Sequence, residues 1–430
     1  MSTTEDRVRA ATRAAAQTVA PGSTPPPPPL PERLRRNPAA HPRRGRGWPG
    51  WVAPLAAAAA VAAVIAISVV VSGALPLGHA SRPAQTAARH TGTVALHPAP
   101  AAPAGIPAYN ITLAPGPLAG QSTRAVVRAT ATGAVLATVR APRPYATFTG
   151  VTGAADDRTF VLTAQPGQQP TASGGVLMKF FLLRLDPAAG TARLAALPIP
   201  TVSGKWIQGA GIAVSPDGTK LAVALSIESQ SVVEVFDLAG GPVREWKAQL
   251  PGGNVIGTNL LAAGALSWAA DGRTLVFDAW GPARVEVHAL DTVAPGTSLS
   301  ASRLVMTFPN WSTTGSVSGS AIITPDGTKI IAMEVPGPPA GTEIRVRQFS
   351  ATDGRPLGIL ATIHYRKGAI TGWPDVLWSN PSGSQLIIST TRLSAAPSKN
   401  GDLTSGEIGI VAGGRFVPLP GIPGGQRPVW

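Results

Sequence analysis

Residues able to do chemistry at neutral pH are few in this 430-residue sequence. There is no cysteine, so a disulfide, a thiolate zinc site and a cysteine nucleophile are all excluded. His79, His90 and His97 fall in an Ala- and Pro-rich stretch with no preorganised geometry for a metal. His288 and His364 sit in or beside expected strands, where a structural or surface role is expected of each. Gly315-Ser316-Val317-Ser318-Gly319 misplaces the serine of a nucleophile elbow. No Walker-type loop occurs, and Gly209-Ala210-Gly211 is too little for a dinucleotide fingerprint. The expectation is a protein without catalytic, cofactor or metal residues, and not an enzyme.

The acids that do recur belong to a repeat. Ser215-Pro216-Asp217-Gly218-Thr219-Lys220-Leu221 returns as Ala269-Ala270-Asp271-Gly272-Arg273-Thr274-Leu275 and as Thr324-Pro325-Asp326-Gly327-Thr328-Lys329-Ile330. Asn380-Pro381-Ser382-Gly383 is a copy with Ser for Asp, and Ala154-Ala155-Asp156-Asp157 is a copy with Asp157 at the Gly position. The reference positions are 157, 218, 272, 327 and 383. Near-even spacing of that size marks a repeat architecture. One carboxylate per repeat is too sparse for calcium, which takes six to eight oxygens. Asp156, Asp217, Asp271 and Asp326 are therefore read as turn residues. Gly218, Gly272, Gly327 and Gly383 supply the positive φ that the turn needs.

Each box lies between two apolar runs and is followed by a more alternating pair, as in Val232 to Asp237 and Glu343 to Phe349. Short Val- and Ile-rich runs bounded by turn residues read as strands. About four strands per repeat, stacked radially, make a β-propeller. The boxes resemble the WD40-like repeat of TolB-type proteins, whose hallmark is Ser-Pro-Asp-Gly before a hydrophobic strand. The resemblance covers residues 106 to 430 and implies an all-β propeller, with no particular activity attached. At about 55 residues per blade the stretch holds six blades, with seven as the alternative. Strands at Tyr109 to Leu113, Thr123 to Thr130 and Val135 to Val139 precede the first full box and are expected to close the ring.

One positional feature suggests recognition. Trp206, Trp311 and Trp373 each precede a box by 10 to 16 residues in Gly-rich surroundings. Segments entering the innermost strands share one mouth of the ring, opposite the boxes. Exposed Trp on loops is a common anchor for a partner. The competing reading packs each Trp between blades.

The elements ahead of the propeller set its address. Residues 1–50 hold nine Arg and three acids, including Pro25 to Pro29 and six Arg between 33 and 46. That composition cannot bury a core. From Gly47 to Ser81 there is no Asp, Glu, Lys or Arg, and Pro54 to Ala74 is a dense Ala, Val and Ile run. At ~1.5 Å per residue it crosses a hydrocarbon core of ~30 Å. Trp48 and Trp51 stand where interfacial aromatics belong. The expected order is a basic cytoplasmic tail over 1–50, a single transmembrane helix over 51–75, a linker over 76–107 and the propeller over 108–430. Arg-rich flanks stay inside, which places the propeller outside the membrane. A signal peptide cleaved after Ala80 is the competing reading.

Function is expected to follow from that layout. The leading reading is a non-catalytic binding module of the bacterial envelope. It is anchored in the lipid bilayer and meets a protein, peptide or glycan at the mouth, with no nucleic acid involved. The alternatives are a transmembrane regulator whose tail engages a cytoplasmic partner, in the manner of anti-sigma proteins, and an extracytoplasmic propeller hydrolase. A reporter fused after Trp430 is expected to be active only in its exported form. Cytoplasmic activity of that fusion would contradict the orientation.

Overall fold

The computed structural model describes residues 91–114, 122–166, 176–204, 211–227, 230–248, 255–256, 266–280, 284–294, 296–309, 317–318, 321–335, 343–364, 374–390, 407–421 and 428–430. The expected transmembrane helix, the tail and residues 76–90 of the linker lie outside those residues. Among the described residues no helix is long and apolar enough to cross a membrane.

The strands form six antiparallel sheets that make the blades. Blade 1 runs outward from Tyr145–Gly153 through Thr159–Pro166 and Val176–Asp186 to Thr191–Ala196. Blade 2 is Ile212–Val214, Lys220–Ile227, Gln230–Asp237 and Arg244–Ala248. Blade 3 is Leu266–Trp268, Thr274–Trp280, Arg284–Asp291 and Arg303–Pro309, with Val255–Ile256 extending its inner edge. Blade 4 is Ile322–Ile323 with Val317–Ser318, then Lys329–Val335, Glu343–Ser350 and Pro356–His364. Blade 5 is Asp375–Ser379, Gln385–Thr390, Glu407–Ala412 and Arg415–Pro418. Blade 6 is Tyr109–Leu113, Arg124–Ala129 and Val135–Arg140, and Val429 pairs with Ile111 on its inner edge. The count is six, and the seven-bladed alternative falls.

The second strand of each blade shows why the pattern reads as continuous apolar runs. Its side chains point alternately to the preceding and the following blade, and both directions are dry. Phe160 and Leu162 join the cluster shared with blade 6, while Val161 joins the one shared with blade 2. Leu275 and Phe277 face blade 2, and Val276 faces blade 4. Six apolar clusters result, one at each blade junction.

The boxes are the inner hairpins, as expected. In four of them the Gly N–H closes the turn on the residue three before it, as Gly218 does on Ser215 at 2.8 Å. Gly218, Gly272, Gly327 and Gly383 have φ of 69°, 57°, 73° and 71°. Each box also reaches the next one. Ala155 N–H donates to Pro216 O, Ala270 N–H to Pro325 O and Asp326 N–H to Pro381 O. Lys220 Nζ bonds Gly272 O at 2.7 Å, which joins the remaining pair of successive boxes.

Blade 6 departs from this scheme and shows how the ring closes. Its inner strand comes from 428–430, so no box can link that strand to Tyr109–Leu113. A different turn stands there: Ile106 N–H closes on Pro103 O, and Gly105 has φ of 80°. Asp157 completes the circle. It adopts the box-glycine conformation, with φ of 60°, and its carboxylate accepts the N–H groups of Ala108 and Tyr109. A side chain at this position points toward the preceding box, as the space around Gly327 and Gly383 also shows. Burial pushes the Asp157 carboxyl up to about 6, against the two N–H bonds that lower it.

Part of the stretch read as linker is structured. Thr91–Ala95 adds a fifth strand to the outer edge of blade 1, pairing with Thr191–Ala196. Leu96 is buried beyond it. The sequence signal for this strand was weak because five residues without a turn marker do not stand out from Ala/Pro-rich surroundings.

Replacing Asp157 by Gly restores the residue of the other four boxes and relieves its backbone. The clasp on blade 6 is worth more than that relief. Asp157→Gly is expected to lower unfolding stability by about 1.5–3 kcal/mol in urea titration. An unchanged or raised midpoint would show that the clasp does not hold the ring.

Candidate functional site

The two faces of the ring differ in how their polar groups are used. On the box face Asp156, Asp217, Asp271 and Asp326 are each consumed by their own turn. Asp217 accepts from Ser215 Oγ, Thr219 N–H and Thr219 Oγ1, and Asp326 is held likewise by Thr324 and Thr328. Asp271 takes Arg273 N–H, Thr274 N–H and Thr274 Oγ1, and Asp156 takes the corresponding groups of Arg158 and Thr159. Burial works to raise the carboxyls of Asp217, Asp271 and Asp326, but these bonds outweigh it and hold all three below the ordinary value. Ser382 and Ser384 share a bond at the box of blade 5. Among the described residues no group of three acids and histidines is placed to hold a metal.

The opposite face is built differently. The second strands run away from the boxes, and six residues past the box glycine the sequence turns polar in alternate blades. Thr163, Asp278 and Ser389 occupy that position in blades 1, 3 and 5, all buried. Their side chains aim at the following blade. Thr163 Oγ1 meets Thr149 Oγ1 at 3.0 Å, and Gln165 Nε2, two residues further on, has no partner among the described residues. Asp375, buried at 1% exposure, lies opposite Ser389 across the inner hairpin of blade 5.

Asp278 is the most costly of these residues. It is 1% exposed. Oδ2 accepts Ala321 N–H of blade 4 at 2.9 Å, and Oδ1 has no partner among the described residues. The inner edge pairs with Leu275–Phe277 and with Ala279–Trp280 but skips Asp278. Burial pushes its carboxyl up to about 8, only partly offset by the Ala321 bond. An isolated buried carboxylate is strongly disfavoured, so the group sits there as a neutral acid at pH 7. Sequence reasoning passed over it. The available signal was a lone Asp in the run Thr274-Leu-Val-Phe-Asp278-Ala-Trp, a polar residue breaking an otherwise dry strand.

Trp206, Trp311 and Trp373, the sequence candidates for the binding face, lie outside the described residues. The two propeller histidines do not meet. His364 is exposed, 3.9 Å from Glu343. His288 is stacked on Phe277 with centroids 5.2 Å apart, and its Nε2 lies 3.1 Å from Glu286 Oε2. Its Nδ1 lies 3.1 Å from Ser302 Oγ, which gives the outline of a serine–histidine–acid set. The serine is not primed. Its hydroxyl donates to Leu299 O at 2.6 Å and caps the short helix Leu299–Ala301, so its proton is directed away from the imidazole. Glu286, 3% exposed, is resisted by burial but held below the ordinary value by His288 and Arg284. This is a satisfied polar network between blades 2 and 3.

No protein-family model matches the chain, and no curated protein matches it. Among solved structures it is similar to TolB from Acinetobacter baumannii, at 17% identity and a TM-score of 0.45 over 75% of this chain and 66% of that one. It is also similar to a putative TolB from Agrobacterium tumefaciens, at 15% identity and a TM-score of 0.39 over 68% of this chain and 87% of that one. The propeller domain of a protease from Pyrococcus furiosus follows at 14% identity and 0.35, over 63% and 70%. Likeness of this degree carries no functional argument, and the propeller rests on the strand pairing above.

The Asp278 proton has a consequence for stability. The unfolded chain releases it near the ordinary aspartate value, while the fold retains it up to about 8. Its contribution is full below pH ~4 and is lost steadily as pH rises toward 8. Asp278→Asn keeps the acceptor for Ala321 and removes the proton. The variant is expected to lose less melting temperature than the wild type between pH 4 and 8. Parallel curves would mean that Asp278 titrates normally.

Proposed function

We propose that this protein is a membrane-anchored, extracytoplasmic propeller that binds a protein, peptide or glycan partner of the bacterial envelope, without catalysis. The partner docks at the mouth opposite the boxes. One contrast carries the reading. Asp156, Asp217, Asp271 and Asp326 of the boxes are spent on their own turns, whereas the other half of the inner strands keeps a buried neutral acid and an amide without partners among the described residues, Asp278 Oδ1 and Gln165 Nε2. Polar groups kept unsatisfied cost stability unless something repays them. Trp206, Trp311 and Trp373 belong by sequence position to the loops entering that same mouth. The propeller hydrolase finds no support in the serine–histidine–glutamate network, whose serine proton is committed to a backbone carbonyl.

Anchors and core residues separate by measurement. Truncating an interface Trp costs ~2 kcal/mol or more of binding, whereas a core Trp costs ~3–5 kcal/mol of stability. Trp206→Ala, Trp311→Ala and Trp373→Ala are expected to keep the melting temperature and to lose capture of an envelope component in pull-down from solubilised membranes. Unfolding of all three would place these residues in the core and remove the proposed face.

A further inference from the structure

The outer strand of a propeller blade has one edge with no neighbour, and this ring covers several of those edges itself. An open edge offers unpaired N–H and C=O groups to any extended chain. Thr91–Ala95 pairs with the edge of blade 1, Lys247 N–H of blade 2 bonds Thr297 O at 2.8 Å, and His97 N–H bonds Leu136 O of blade 6 at 3.0 Å. The outer strand of blade 5, Arg415–Pro418, is only four residues long and ends in proline. Two edges are left without such cover among the described residues, Arg303–Pro309 of blade 3 and Pro356–His364 of blade 4.

Blade 4 has the more open of the two. Its outer strand is nine residues long, against seven in blade 3. No charge interrupts it from Pro356 to Ile363, although charges are a common means of blunting an edge. Leu357 and Ile359 are exposed at 43% and 55%, whereas Leu304 is the one exposed large apolar side chain described on the blade 3 strand. Two bulges, at Leu357 and Leu360, bend the blade 4 strand without ending it, since pairing with Glu343–Ser350 resumes after each.

Charge differs between the two ends of this edge. The strand starts at the box end, where Arg355 precedes it. Arg415 begins the outer strand of blade 5, which lies alongside. Both arginines are exposed, and neither holds a salt bridge among the described residues. The strand ends at His364, opposite Glu343. A chain laid antiparallel on it therefore brings its own C-terminal end to Arg355 and Arg415. Thr91–Ala95 already shows that geometry, as an antiparallel strand added to the outer edge of blade 1. A second copy is the poorer occupant, because each chain carries a net charge of +14 and repels its like.

We propose that the outer edge of blade 4 docks an extended peptide segment of a partner protein, apolar in its middle and acidic at its C-terminal end. The segment adds as an antiparallel fifth strand to Pro356–His364. Its main-chain groups pair with the open edge, its apolar side chains cover Leu357 and Ile359, and its acids meet Arg355 and Arg415. This strip lies on the outer wall and needs nothing from the mouth.

The test is fluorescence anisotropy of labelled synthetic peptides with the full chain. Thr-Val-Thr-Val-Thr-Val-Asp-Asp is expected to bind severalfold more tightly than Asp-Asp-Thr-Val-Thr-Val-Thr-Val, and more tightly than the peptide ending in Lys-Lys. N-methylation of its Val and Thr amides, which removes the donors that an added strand needs, should abolish binding. Ile359→Asp places a like charge against the acidic peptide at an exposed position. It should weaken binding severalfold and leave the melting temperature unchanged. Equal binding of the three peptides, tighter binding of the reversed one, or no binding of any would overturn the proposal. Undiminished binding of the N-methylated peptide would overturn it as well. A concentration-dependent dimer in sedimentation that Ile359→Asp abolishes would assign the edge to a second copy and contradict the peptide.

Discussion

The propeller depends on one repeated contact, the bond from each box to the next. A sheet blade is dry on both faces and cannot stand alone. The apolar clusters between blades supply attraction, but attraction without direction lets blades slide. The N–H groups of Ala155, Ala270 and Asp326 fix the offset by reaching a carbonyl of the following box. Thr152 and Ser267 repeat the device one step inward, accepting Val214 N–H and Ile323 N–H across the junctions. Directional bonds near the axis thus set the register that the apolar clusters fill.

A closed ring must deal with its own seam. Here the inner strand of blade 6 comes from the far end of the chain, so the box-to-box contact is missing at the two junctions that flank this blade. The residues that differ from the repeat are the ones at that seam. Asp157 replaces a glycine and reaches Ala108 and Tyr109, the turn Pro103–Ile106 stands in for a box, and Trp430 donates from its indole to Thr130 Oγ1 at 3.0 Å. Trp430 also fills the space beside Ile106, Ile387 and Ile408.

Most of the fold was legible because the repeat is written in turn chemistry. Pro-Asp-Gly names its own conformation, and an interval of 54 to 61 residues leaves room for four strands and little else. Asp157 was visible as an exception but not as a clasp, since its partners lie about fifty residues away and no local pattern points to them. Pro103-Ala104-Gly105 lacked the aspartate that marks the other turns. The candidate site was less legible. Asp278 looks like one polar interruption among many until its junction, its missing inner-edge partner and its burial are known.

Native-state hydrogen exchange of the box amides tests the account most directly. If the box-to-box bonds set the ring, the amides of Ala155, Ala270 and Asp326 exchange only through global unfolding, with the same free energy as the apolar strand core at Phe160, Leu275 and Ile330. Exchange at the rate of surface turns, while those strand amides stay protected, would show that the blades are held by their apolar faces alone and contradict the central claim.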